Sequence, residues 1–348
     1  MGNGPGRSTA ATVAGADPDT EAGAGPDGGM SAEPDGGVAR RCGAAFRARI
    51  GNDARIQLAG AAQVLPAATA PVRSLFRQLD ASRRWRPEVF TRHRALVRAL
   101  AGDDLVVSVD ALTALGTLLR KDPYADLTEV TTLRADVVDR GAVALLTEVR
   151  RRPVSLRTLD LDAASTGIAA VRTALDLLGR VDPAMRAEFD AMVAEVRLFG
   201  GSAADAFSST RWFGCVYVAV PAGLSTDALV LHLLDHLTHE ASHLGLYARM
   251  ATDPLLLNGD ERGFRAPIRP DARPLDGIFH AMFVLARVTR VFARLAAADS
   301  RPAVGAVRDA QATLFDHALA TVEEHARLTA GGRTIVDGCR TMVDEALG

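Results

Sequence analysis

HLTHEASHLGLYARM, residues 236–250, holds His239, Glu240 and His243 in the order H-E-x-x-H. Ser225 or Thr226 upstream can cap a helix that runs to about Met250, so the motif reads as helical. A period of 3.6 residues then puts His239 and His243 one turn apart on one face, with Glu240 to the side. Two imidazoles so placed can meet one cation. Just before this helix, GCVYVAVP (214–221) is a β-branched and aromatic run between a glycine and a proline, the pattern of a short buried strand. A metal-binding helix beside a short strand is the zincin-like arrangement, and the rest of the chain is read around it.

On the same helical wheel His232, His236, His239 and His243 fall within an arc of about 60°. Four ligands cannot converge from one straight helix, so His232 and His236 are expected below the metal pair. The third donor must come from elsewhere. The metzincin pattern needs Gly and His where this chain has Leu246 and Arg249, which excludes that class. A gluzincin would supply a later glutamate, from Glu261, Glu323 or Glu324. His280 is the stronger candidate: it falls in the first turn of a helix that begins after RPLDG, where the helix dipole favours the neutral, coordinating ring. Asp276 or Glu240 remain as carboxylate alternatives. His93, His317 and His325 lie on polar helix faces and are expected to be solvated, and Cys215 is expected to be a small core residue.

Outward from the motif, residues 1–40 are rich in Gly, Pro, Asp and Ala with few large apolar side chains, the composition of a disordered tail. From about residue 70 apolar residues recur at three- and four-residue intervals. The helical N-terminal part is expected over 70–195 and the metal-binding catalytic part over 196–348, with amphipathic helical stretches at 161–183 and, across that boundary, 184–199. Helices are expected near 277–298, 302–329 and 332–347, with 70–348 forming one compact unit. The predicted fold class is mainly α with a small β element.

A net charge of −2 gives no electrostatic reason to expect nucleic acid or a membrane as partner. Cys42, Cys215 and Cys339 are odd in number and far apart, which fits neither a disulfide framework nor a cysteine metal site. No secretory signal or run of about 20 apolar residues is present, so a reducing cytoplasm is the expected location.

Three blocks, VYVAVP, LTHEASHLGLYARMATDPLLL and RPDARPLDGIFHAMFVLARV, together resemble the HExxH-motif peptide-modification proteins of bacteria. That family includes 2-oxoglutarate-dependent HExxH-type peptide β-hydroxylases. The resemblance covers roughly residues 195–297, and the R-P-x-x-R-P-L block followed by G-x-x-H separates it from ordinary zincins. It implies an Fe(II) enzyme acting on a ribosomally made precursor peptide, alone or with a separate maturase. His239, His243 and His280 would be the metal ligands and Glu240 a carboxylate at the metal's side.

A hydrolase would need Glu240 as general base beside a metal-bound water. An oxygenase would need open metal positions and a cation to clamp the distal carboxylate of 2-oxoglutarate. Arg273 and Arg269 flank the turn before His280 and are the candidate clamps, with Arg287 two turns beyond His280. The leading expectation is thus Fe(II)- and 2-oxoglutarate-dependent hydroxylation of a peptide side chain. The alternatives are a zinc metallopeptidase, its substrate paired with the 214–220 strand, and a non-catalytic helical scaffold that binds a precursor peptide for a partner maturase.

Overall fold

The computed structural model describes residues 30–102, 104–267 and 272–348. Among these the fold is mainly α with a small mixed sheet, in the chain order α1 (Gly36–Ala61), α2 (Pro66–Gln78), α3 (Pro87–Ala101), α4 (Leu105–Lys121), β1 (Glu129–Thr132), α5 (Val137–Arg150), α6 (Leu161–Val181), α7 (Pro183–Met192), β2 (Glu195–Phe199), β3 (Ala206–Ser208), β4 (Cys215–Ala219), α8 (Thr226–Met250), β5 (Phe264–Arg265), β6 (Ala272–Arg273), α9 (Leu275–Ala298), α10 (Pro302–His325) and α11 (Ala330–Leu347).

The motif helix α8 starts where its capping chemistry requires. Ser225 accepts a hydrogen bond from the Ala228 amide, Asp227 sits in the first turn and Arg249 in the last, each favourable to the helix dipole. At 25 residues α8 is about 37 Å long. It is buried on most sides, packing against α1, α6, α7, α9 and the sheet. No described helix is long and apolar enough to cross a membrane.

The sheet order is β1-β2-β4-β3. β1, β2 and β4 are parallel, and β3 pairs antiparallel with β4 at the edge. β1, from the 70–195 stretch, thus shares a sheet with β4 just ahead of α8. β4 is flanked on both sides, so it cannot accept a substrate strand as expected from its sequence; the strand with an outer edge near α8 is β3.

Other expectations also shift. The helix expected over 184–199 ends at Met192, and Glu195–Phe199 is β2, buried at every position. Its two charges misled: Arg197 bonds the Glu195 carboxylate at 2.7 Å and reaches Asp136 at 2.7 Å and Asp139 at 2.8 Å, so both are satisfied inside. The expected tail over 1–40 overlaps α1, which is capped by the Asp35 carboxylate on the amides of Gly37 and Val38. Ala32 is also buried. Residues 1–29 lie outside the described residues.

A buried ion triad ties the helices around the motif together. The Glu188 carboxylate on α7 accepts from Arg249 on α8 at 3.1 Å and from Arg287 on α9 at 2.5 Å, all three side chains being fully buried. The Asp35 amide donates to the same carboxylate at 3.2 Å. Burial raises the Glu188 pKa, but the two guanidiniums outweigh it and hold the carboxyl below its usual range. Gly245 makes room for the triad: a Cβ there would lie 2.5 Å from Glu188 Oε1. Arg287 is therefore a structural partner of Glu188 and not a clamp for a cosubstrate.

On another side of α8, Asp235 meets Gln311 of α10 at 3.3 Å, and burial pushes its carboxyl up to about 6. The native state then binds a proton more readily than the unfolded chain does. This contribution is full below about pH 4 and fades as pH rises through about 6. Asp235→Asn is expected to raise stability at pH 7–8 by on the order of 2 kcal/mol and to flatten the fall between pH 4 and 7. Denaturant melts at several pH values check it; an unchanged slope would refute it.

Candidate functional site

The site forms where α8 passes the start of α9. His239 and His243 face each other through their Nε2 atoms at 3.2 Å, with the rings inclined at 66°. Two nitrogens on one first-row cation, each about 2.0–2.1 Å from it, stand about 3.3 Å apart at a tetrahedral angle. The pair thus has the spacing of one edge of a coordination tetrahedron.

His280 approaches from α9, with its Nδ1 3.3 Å from Nδ1 of His243. His243 consequently meets His239 with one nitrogen and His280 with the other, so the three rings form a row. Among the described residues no set of three His, Cys, Asp or Glu side chains surrounds a common point suited to an ion. The donors fit a divalent cation along the His239–His243 edge, and His280 is an adjoining ring with a buried Nε2 that lacks a hydrogen-bond partner among the described residues. That nitrogen lies 3.8 Å from Asp276 Oδ1, too far for a hydrogen bond. Burial lowers the His280 pKa to about 4, which leaves the ring neutral and able to coordinate. The cause differs from the expected helix dipole, since α9 begins at Leu275 and places His280 beyond the first turn.

A cavity of about 330 Å³ opens over these rings, lined by His239, His243, Tyr247, Arg273, Asp276 and His280. Arg273 enters it from β6, which is held by pairing with β5. Arg269 lies outside the described residues. Tyr247 packs its ring 4.8 Å from that of His280. Burial, with the charges of Glu240 and Asp276, pushes its phenol up to about 12, so it remains a proton donor at neutral pH. Asp276 is raised by burial and by Asp260.

Glu240 is buried beside the pair, its Oε2 accepting from the Ser208 hydroxyl of β3 at 2.6 Å. Neither Tyr247 nor Ser208 was expected from the sequence. Tyr247 follows His243 by four residues, so the period that found the pair also predicts this tyrosine on the same face; Ser208 lies in a three-residue strand with no periodic signal. Ser208→Ala is expected to free the Glu240 carboxylate to move, lowering turnover roughly 10-fold with bound metal unchanged. Full activity in that variant would show that Glu240 is not held for catalysis.

The other candidates lie elsewhere. Glu261 pairs with Arg327, Glu323 with Arg340, and Glu324 stands next to His325, all on the surface. His232 meets the Ala219 carbonyl at 3.2 Å, and the His236 ring packs edge-on against it. Burial lowers both, His236 to about 4. Cys215 is buried in β4 among core residues. His93, expected to be solvated, is buried against Phe76 with Nε2 3.2 Å from the Gln57 side-chain oxygen.

No family model matches the chain, and no curated protein matches its sequence.

Proposed function

We propose that this protein is a metal-dependent peptide-modifying enzyme, hydroxylating a side chain of a ribosomally made precursor peptide with Fe(II) and 2-oxoglutarate. It would act in the cytoplasm, alone or beside a separate maturase. One observation carries the reading: a histidine pair at ligand spacing shares its cavity with Arg273. A guanidinium beside the metal suits the distal carboxylate of an oxo acid, which it can meet with two parallel hydrogen bonds. His239 and His243 would hold the iron, with Asp276, or His280 once its ring turns away from His243 Nδ1, completing the set. Iron with 2-oxoglutarate and dioxygen supplies the oxidising power to place an oxygen atom on an unactivated carbon. The protein's own part is positional: Arg273 would clamp the distal carboxylate of the oxo acid, and Tyr247 would donate a hydrogen bond across the cavity. The test is anaerobic loading with Fe(II), followed by 2-oxoglutarate and oxygen. Succinate and a peptide heavier by one oxygen atom are expected, and their absence with every peptide encoded nearby would refute the proposal.

A second reading, a zinc metallopeptidase, draws support from β3. Its outer edge is unpaired among the described residues, it lies against α8, and its Ser208 touches Glu240. An extended peptide could add to that edge, with Glu240 as general base. Zinc retained through purification, with peptide cleavage abolished in Glu240→Gln, would favour this reading over the first.

A further inference from the structure

Beyond Tyr247 the histidine cavity adjoins a second and larger one. Tyr247 lines both. This second space, about 530 Å³, has an apolar floor of Phe46, Ile50, Phe90 and Met250. Around it stand four guanidinium groups: Arg49 of α1, Arg94 and Arg98 of α3, and Arg211 in the turn before β4. Asp53 is the acidic residue in its lining, and Glu148 answers Arg211 from outside at 3.1 Å. Arg49, Arg94 and Arg98 make no ion pair among the described residues.

Nothing in the fold explains this concentration of charge. Arg94 and Arg98 are one turn apart on α3, and like charges at that spacing weaken a helix. Burial, then Arg211 and Arg98, lowers the Arg94 pKa, with Glu148 opposing. Such an array gains stability when an anion enters.

The cleft also continues. Gln57 and Val97 line both it and a third space of about 400 Å³ between α1, α3 and α4, whose walls include Val64, Leu65, Leu100 and Leu105. Val64 is 65 % exposed and Leu105 52 %, and Val106 beside it is 72 % exposed. The three spaces follow one another: an apolar groove, a cationic cleft, then Tyr247 and the histidines. A small anion would use only the middle space. A polypeptide would use all three.

We propose that this track docks an acidic segment of a separate polypeptide, with apolar side chains in the α1–α3–α4 groove and carboxylates against Arg49, Arg94, Arg98 and Arg211. The bound chain then points past Tyr247 toward the histidine cavity. Only that last consequence rests on the function proposed above; the docking itself does not.

The test uses the full chain and fluorescence anisotropy with two labelled peptides of equal length. Both carry an apolar Leu/Phe segment, followed in one by glutamates and in the other by lysines. Binding of the acidic peptide, weakened by salt, is expected. The double variant Arg94→Glu/Arg98→Glu is expected to lose at least 10-fold in affinity and Val64→Asp several-fold. Arg94, Arg98 and Val64 are exposed, and circular dichroism confirms that each variant folds. Equal binding of the lysine peptide, or unchanged affinity in the arginine variant, would overturn the proposal. So would displacement by phosphate or citrate as effective as by unlabelled peptide, which would mark a small-anion site. A fourth overturning result would be binding seen only when Asp17, Asp19, Glu21 and Asp27 are changed to their amides, because the chain's own N-terminal segment would then be the occupant.

Discussion

Replacing His239 by alanine is expected to strip the protein of metal and of product while leaving its fold intact. Residues that merely orient a metal ligand are worth 10- to 100-fold in affinity, so removing one of the two facing nitrogens should cost roughly 100-fold or more. The side chain is half-buried at a cavity wall rather than packed in the core, so its truncation should change stability by less than about 1 kcal/mol. The informative measurement is metal content by elemental analysis beside a thermal melt of the same sample. Full metal loading in the His239→Ala variant would show that His239 is not a ligand and would refute the His239–His243 site. His280→Ala separates the alternatives for the third donor, because retained metal in that variant would shift the role to a carboxylate such as Asp276.

The largest loss of stability is expected from Glu188→Gln. The carboxylate answers two fully buried guanidiniums, and an amide leaves both charges without a counterion in a site that water does not reach. Breaking a buried pair in this way costs about 3–5 kcal/mol, a drop of roughly 5 °C in melting temperature for a chain of this size. The pH dependence should change with it. The lowered pKa of Glu188 means that its contribution is complete above the ordinary carboxylate range and disappears as pH falls through the lower folded value. Wild type should therefore lose stability toward acid more steeply than Glu188→Gln. Parallel acid titrations of the two proteins would refute this account.

What could be read from sequence followed the range of the forces involved. α8 and its histidine pair were legible because cap, period and ligand spacing all act within a few residues. α1 was not: its buried positions Val38, Cys42, Phe46, Ala54 and Leu58 recur at multiples of four, but Ala, Gly and Arg between them dilute the pattern. β2 was hidden by Glu195 and Arg197, whose burial depends on Asp136 and Asp139 in a distant helix cap. Arg287 looked like a free cation near His280 because its partner, Glu188, lies far back along the chain. In the site, the approach of His280 to His243 was suggested by the second motif block, whereas the ordering of the three rings depends on how α8 and α9 cross.

The parallel pairing of β1 with β2 also carries a consequence in time. Glu129 must find Glu195 before the four-stranded sheet beside α8 is complete. Contacts between such distant residues form slowly, because the intervening loop must close before any of them stabilises the chain. The histidine helix should therefore acquire its final surroundings late in folding, and metal added to a refolding chain should be captured with the rate of sheet assembly rather than with the faster rate at which the helix itself appears.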